Sequence, residues 1–109
     1  MTTRLVWTEQ AVADLEGIRE FIARDSPRYA EIVVLRLVEA AERLRQFPRS
    51  GRVVPELGRE DVREVLWGTY RLVYRVAAEE AQVLTVFRAS RLLPLREPPG
   101  PEPPSRPAG

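Results

Sequence analysis

Between Val62 and Phe87 three segments rich in β-branched and aromatic residues follow one another closely: Val62 to Trp67, Tyr70 to Val76 and Gln82 to Phe87. They are separated only by Gly68-Thr69 and by Ala77 to Ala81, links too short for a crossover, so the segments must pair as an antiparallel meander. In the middle segment a period of two puts Tyr70, Leu72, Tyr74 and Val76 on one face and Arg71, Val73 and Arg75 on the other. The first face requires an apolar cover. The second is expected to present charge to solvent.

The cover lies upstream. Thr8 can cap a helix with Glu9 in its first turn, and Ala11, Leu15, Ile18 and Ile22 recur on one face as far as about Arg24. Asp25-Ser26-Pro27 is a stop-and-restart signal, with a side-chain oxygen for the cap and proline where no N–H is needed. A second helix then carries Ala30, Val33, Val34, Leu37, Ala41 and Leu44 as its stripe and ends at Phe47-Pro48. These bounds give helices of about 17 and about 20 residues, antiparallel because their link is short. Neither stripe can stay in water at about 25 cal/mol per Å² of apolar area, so both must cover the sheet.

Thr3 to Trp7 reads as a further strand, since Leu5 and Trp7 alternate with Arg4 and Val6. Pro48 to Asp61 reads as a loop with a short extended piece at Val53-Val54. The expected class is therefore α+β, in the order β-α-α-β-β-β, a helical hairpin on one face of a mainly antiparallel sheet. The domain should span residues 1–93. From Pro94 to Gly109 the chain holds seven of its 10 prolines without apolar periodicity, which predicts a disordered tail.

Composition excludes several chemistries. There is no cysteine, hence no disulfide, no thiolate zinc site and no thiol nucleophile. There is no histidine, which removes the commonest general base near neutral pH and the commonest metal ligand. All 17 basic residues are arginine, a bias that a GC-rich genome explains more simply than phosphate binding does. A net charge of +1 points to no class of partner. With no apolar run of roughly 20 residues and no leader pattern, the chain is expected in the cytoplasm and off the membrane, with neither cofactor nor metal.

Trp7-Thr8 followed by Ala11, Asp14-Leu15, Ile18 and Phe21-Ile22 resembles the opening of the RelE/ParE family of toxins. Phe47-Pro48, Gly51-Arg52, Val62-Arg63-Glu64, Tyr70-Arg71-Leu72-Val73-Tyr74-Arg75, Val86, Arg88 and Arg91 continue the resemblance in the same order. It implies the toxin of a type II toxin–antitoxin pair, of the plasmid-stabilising kind, whose partner is a cognate antitoxin. It also implies one of two targets. Some members cleave messenger RNA in the ribosomal A site, and the ParE branch poisons DNA gyrase without chemistry of its own.

Cleavage through the ribose 2′-oxygen requires a base, a charge to stabilise the phosphorane and an acid. The resemblance makes Arg71 and Arg91 the candidates for that charge, with Glu64 and Arg88 supporting. Arg63 falls near a basic position of the cleaving branch, but Val65 stands where a second basic residue is expected. Arg88 replaces a histidine that many relatives carry, and no tyrosine follows it. Arginine cannot readily act as a base. Tyr70 and Tyr74 alternate onto the apolar face, and Glu64 is better read as an ion-pair partner of Arg71 or Arg75. Taken together, Arg63, Arg71, Arg75, Arg88 and Arg91 are expected to contact the antitoxin or the target. The missing base and the length of the hairpin favour a ParE-like toxin that acts on DNA gyrase by binding. The alternatives are a ribosome-dependent endoribonuclease and an inactive member that keeps only antitoxin binding.

Overall fold

Thr8 sets the start of the first helix and also fastens it to the sheet. Its hydroxyl accepts from the Ala11 N–H at 3.2 Å, as an N-cap does, and donates to the Val83 carbonyl at 2.7 Å. The computed structural model describes residues 3–89. They form strand β1 (Arg4–Trp7), helix α1 (Glu9–Ala23), helix α2 (Pro27–Glu42) prolonged by a 3-10 turn at Arg43–Arg45, then strands β2 (Arg52–Val53), β3 (Val62–Trp67), β4 (Tyr70–Ala77) and β5 (Glu80–Arg88). The sheet order is β1-β5-β4-β3-β2, antiparallel throughout except that β1 runs parallel to β5. The expected tail from Pro94 and the domain end near Leu93 lie outside the described residues.

The two stripes are placed as the spacing requires. Ala11, Val33, Leu37, Ala41 and Leu44 pack on Tyr70, Leu72 and Tyr74, with Leu15, Ile18 and Ile22 at the margin of the same core. Ser26 caps α2 by accepting from the Tyr29 N–H at 3.1 Å, with Pro27 at the first helical position. The helices are shorter than expected, 15 and 16 residues. Pro48 forbids its predecessor the helical region, and the chain ahead of it tightens into the 3-10 turn, where the Gln46 N–H reaches the Arg43 carbonyl at 3.2 Å.

β5 contains a feature with no signature in the period of two. Val73 faces Thr85 while Tyr74 faces Val83, so Leu84 is an extra residue on β5. β1 ends opposite Val83, and beyond it α1 supplies the acceptor that a strand would have provided. Asp14 accepts from the Thr85 hydroxyl at 2.6 Å and from the Val86 N–H at 3.1 Å. The two hairpin turns differ in chemistry. Gly68 supplies the positive φ of the β3–β4 turn, whereas in the β4–β5 turn Ala78 adopts φ 52° without glycine's freedom.

Tyr74 joins the core to the loop that follows the helices. It is fully buried, its hydroxyl donates to the Pro48 carbonyl at 2.7 Å, and it accepts from the Gly51 N–H at 3.0 Å. Burial pushes its phenol above the usual value, which keeps the donor proton in place. A Cβ on Gly51 would stand 2.6 Å from the Glu64 carbonyl and 2.7 Å from the Tyr74 hydroxyl, so only glycine lets the chain pass here. Gly51→Ala is therefore expected to lower stability by about 2–3 kcal/mol, read from the midpoint of urea unfolding. An unchanged midpoint would mean that the passage is looser than described.

Candidate functional site

The face of the sheet turned away from the helices is not the solvated surface that the alternation of β4 suggests. Val54 and Leu57, from the segment between β2 and β3, fold over it and close a second small core with Val62, Val73, Leu84 and Phe87. Arg71 is 8% exposed and Glu64 is 1% exposed beside this core. Its physical basis is the period of two, which leaves Val62 and Val73 on this face and obliges something to cover them.

Three of the four strands around this point contribute charge. Glu64 stands opposite Arg52 in the β2–β3 register and diagonal to Arg71, whose direct neighbours are Leu66 on β3 and Phe87 on β5. The Arg71 Nε–H donates to Glu64 Oε1 at 2.7 Å, and the Arg52 Nε–H donates to Glu64 Oε2 at 2.5 Å. The outer edge of the Arg71 guanidinium then forks onto Glu56, with both N–H···O distances 3.0 Å, while its carbon lies 5.2 Å from the centre of the Phe87 ring. Arg71 thus holds one carboxylate from its own sheet and one from the covering segment.

The electrostatics follow from these contacts. The Arg71 hydrogen bonds hold the Glu56 carboxyl below the usual carboxylate range, and Glu56, more than Glu64, raises the Arg71 guanidinium further above its already high value. Glu64 does face the same side as Arg71, the geometry in which it could have served as a base, but both of its oxygens are engaged by guanidinium groups.

The other arginines are dispersed. Arg63 lies on the helix side of β3 and donates to the carbonyls of Glu60 at 3.0 Å, Gly51 at 2.9 Å and Arg49 at 3.4 Å, so it clasps the loop. Arg75 shares the Arg71 face at the far end of β4 and donates to Gln82 at 3.2 Å. Arg88 does not join them. It is exposed opposite Tyr70, on the helix side, because the extra Leu84 shifts the alternation of β5 by one and turns Phe87 toward Arg71 instead. Arg91 lies outside the described residues. Tyr70 and Tyr74 both belong to the helix-side core. Among the described residues no group of three or more acidic or histidine side chains is disposed to hold a metal ion.

Sequence reasoning missed Glu56 and Arg52. Arg52 entered only as part of the Gly51-Arg52 pair in the family resemblance, with no role attached to it. Glu56 follows Pro55 in a loop, and no local spacing signals that it meets Arg71.

Because Glu64 is buried, Arg71→Ala leaves its carboxylate with Arg52 alone. A loss of about 3 kcal/mol is expected in urea unfolding, so this substitution tests the fold as well as any activity. Glu56 gives a pH-dependent prediction. Its folded-state pKa lies below the ordinary 4.5, so its contribution is complete above that value and is lost as the pH falls through the lower one. The stability difference between the native chain and Glu56→Gln should therefore shrink as the pH is lowered from about 6 to about 3. A difference that stays constant over that range would remove the assigned role of the Glu56–Arg71 pair.

A family profile described as the ParE toxin of the type II toxin–antitoxin system parDE matches residues 5–93. The chain is 36% identical over 89 residues to Toxin RelE2 of Caulobacter vibrioides, a match covering 82% of this chain and 98% of that protein. Its fold is similar to a chain of the chromosomal ParDE toxin–antitoxin system from P. aeruginosa, with TM-score 0.66, 28% identity and coverage of 79% of this chain and 95% of that one. It is also similar to a chain of the toxin–antitoxin complex RelBE2 from Mycobacterium tuberculosis, with TM-score 0.57, 26% identity and coverage of 81% and 99%. With the helical hairpin on its five-stranded sheet and the match running through almost the whole described region, the chain belongs to the ParE toxin family of type II toxin–antitoxin systems.

Proposed function

We propose that this toxin acts in the cytoplasm by binding DNA gyrase, without chemistry of its own, and arrests growth until a cognate antitoxin neutralises it. The observation that carries the reading is the state of Arg71. An arginine that stabilises a phosphorane must offer its N–H groups to the reacting phosphate. Here the guanidinium is shared between Glu56 and Glu64, and the charge it would lend is already balanced.

The likeness to chains from toxin–antitoxin systems supports an antitoxin partner. Such a partner folds as it binds, at a cost in ordering entropy, and the contact area must offset it. The half-exposed Phe21, Tyr29 and Leu35 of the helical hairpin offer apolar area for a contact of this kind.

The test is a supercoiling reaction with gyrase from the source organism and the purified chain, run beside a translation reaction in which the messenger RNA is examined for cuts. Loss of supercoiling with intact message is the expected result. Cut message with normal supercoiling would replace this reading with that of a ribosome-dependent endoribonuclease. Neither effect, together with expression that leaves growth unchanged, would mark a member that retains antitoxin binding alone.

A further inference from the structure

Glu56 and Glu64 hold the same guanidinium but differ in how firmly they are placed. The Glu64 side chain is fully buried in the sheet, while that of Glu56 is 36% exposed and comes from the turns between Val54 and Asp61. The segment bends back at Gly58, whose φ is +66°. The Arg71 edge that Glu56 occupies is thus the outward one. Beside it, β2 pairs with only Arg63 and Glu64 of β3, so Val65 to Trp67 have no strand on their outer side among the described residues. Leu66, directly across from Arg71 on β4, is 50% exposed.

One corner therefore combines an unpaired strand edge, an exposed leucine and an arginine fork closed by a carboxylate from a turn. We propose that this corner is a docking site for an extended acidic peptide of a partner protein, and that Glu56 occupies its carboxylate seat from within. The incoming backbone pairs with β3 at Val65 to Trp67, an apolar side chain covers Leu66, and a glutamate or aspartate replaces Glu56 on Arg71. Charge argues for a single carboxylate. With Glu56 displaced, Arg71, Arg52 and Glu64 leave one net positive charge, which a monoanion neutralises, while a doubly charged phosphate would add repulsion beside Glu64. The exchange conserves the two hydrogen bonds of the fork, and the edge pairing supplies the gain. This deepens the proposed antitoxin binding and rests on it for the identity of the partner, and because one carboxylate replaces another it leaves the Arg71 charge as balanced as the gyrase reading requires.

The test uses the full chain and a fluorescein-labelled peptide in which a leucine and a glutamate stand two residues apart, so that both fall on the face shared by Leu66 and Arg71, followed by anisotropy. An internal competitor on a short tether acts at an effective concentration of the order of millimolar, so Glu56→Ala should bind the peptide about tenfold more tightly than the native chain. Leu66→Asp should reverse that gain, and a leucine–glutamine peptide should bind neither protein. Equal binding of the leucine–glutamate peptide to native chain and variant would overturn the proposal. Capture of inorganic phosphate or an oligoribonucleotide by Glu56→Ala in preference to the peptide would overturn it in favour of a phosphate seat. Unfolding of both Glu56→Ala and Glu56→Gln, seen by circular dichroism, would overturn it by making Glu56 a fixed structural pin. Failure here with loss of supercoiling intact would leave the gyrase reading in place.

Discussion

A carboxylate taken out of water in the middle of a sheet sets conditions on everything near it. Glu64, at 1% exposure, must be met by positive charge on both oxygens, and among the described strands those in reach are its two neighbours. Arg52 answers from β2 and Arg71 from β4, and Arg71, buried in turn, draws Glu56 down from the covering segment. That segment brings Val54 and Leu57 with it, which closes the second core. The short β2, the path of the loop and the dry far face are thus linked through one residue. Arg63 and Tyr74 tie the same loop from the helix side, so Pro48 to Asp61 is held on both faces although it has no regular structure beyond the two residues of β2.

The helix-side half of the molecule was legible because every signal there is local and periodic. Ala30, Val33, Leu37 and Ala41 keep helical spacing, Tyr70, Leu72 and Tyr74 keep strand spacing, and the caps at Thr8 and Ser26 stand next to the residues they cap. The position of β1 was not legible. Alternation of Leu5 and Trp7 identifies a strand without naming its neighbour, and the pairing with β5 is a contact between distant parts of the chain.

The site was legible only in part, for a related reason. Glu64 beside Arg71 follows from counting along two adjacent strands, and the structure has that pair. The expectation of a charged, wet face failed because Val62, Val73 and Phe87 also lie there, and apolar area decides the fate of an arginine that shares its face. The extra residue at Leu84 defeats any simple alternation, and it is what separates Arg88 from Arg71.

The parallel pairing of β1 with β5 has a consequence for how the domain comes into being. Among the described strands the first made, Arg4–Trp7, finds its neighbour in the last, Glu80–Arg88, and β5 is also the strand to which Thr8 and Asp14 fasten α1. While the chain is being synthesised the helical hairpin can form, but its apolar stripes have no completed sheet to lie on until β5 has left the ribosome. A sheet closed by the pairing of its first and last described strands acquires its finished surfaces in one late step, and nascent chains that stop short of β5 cannot display them.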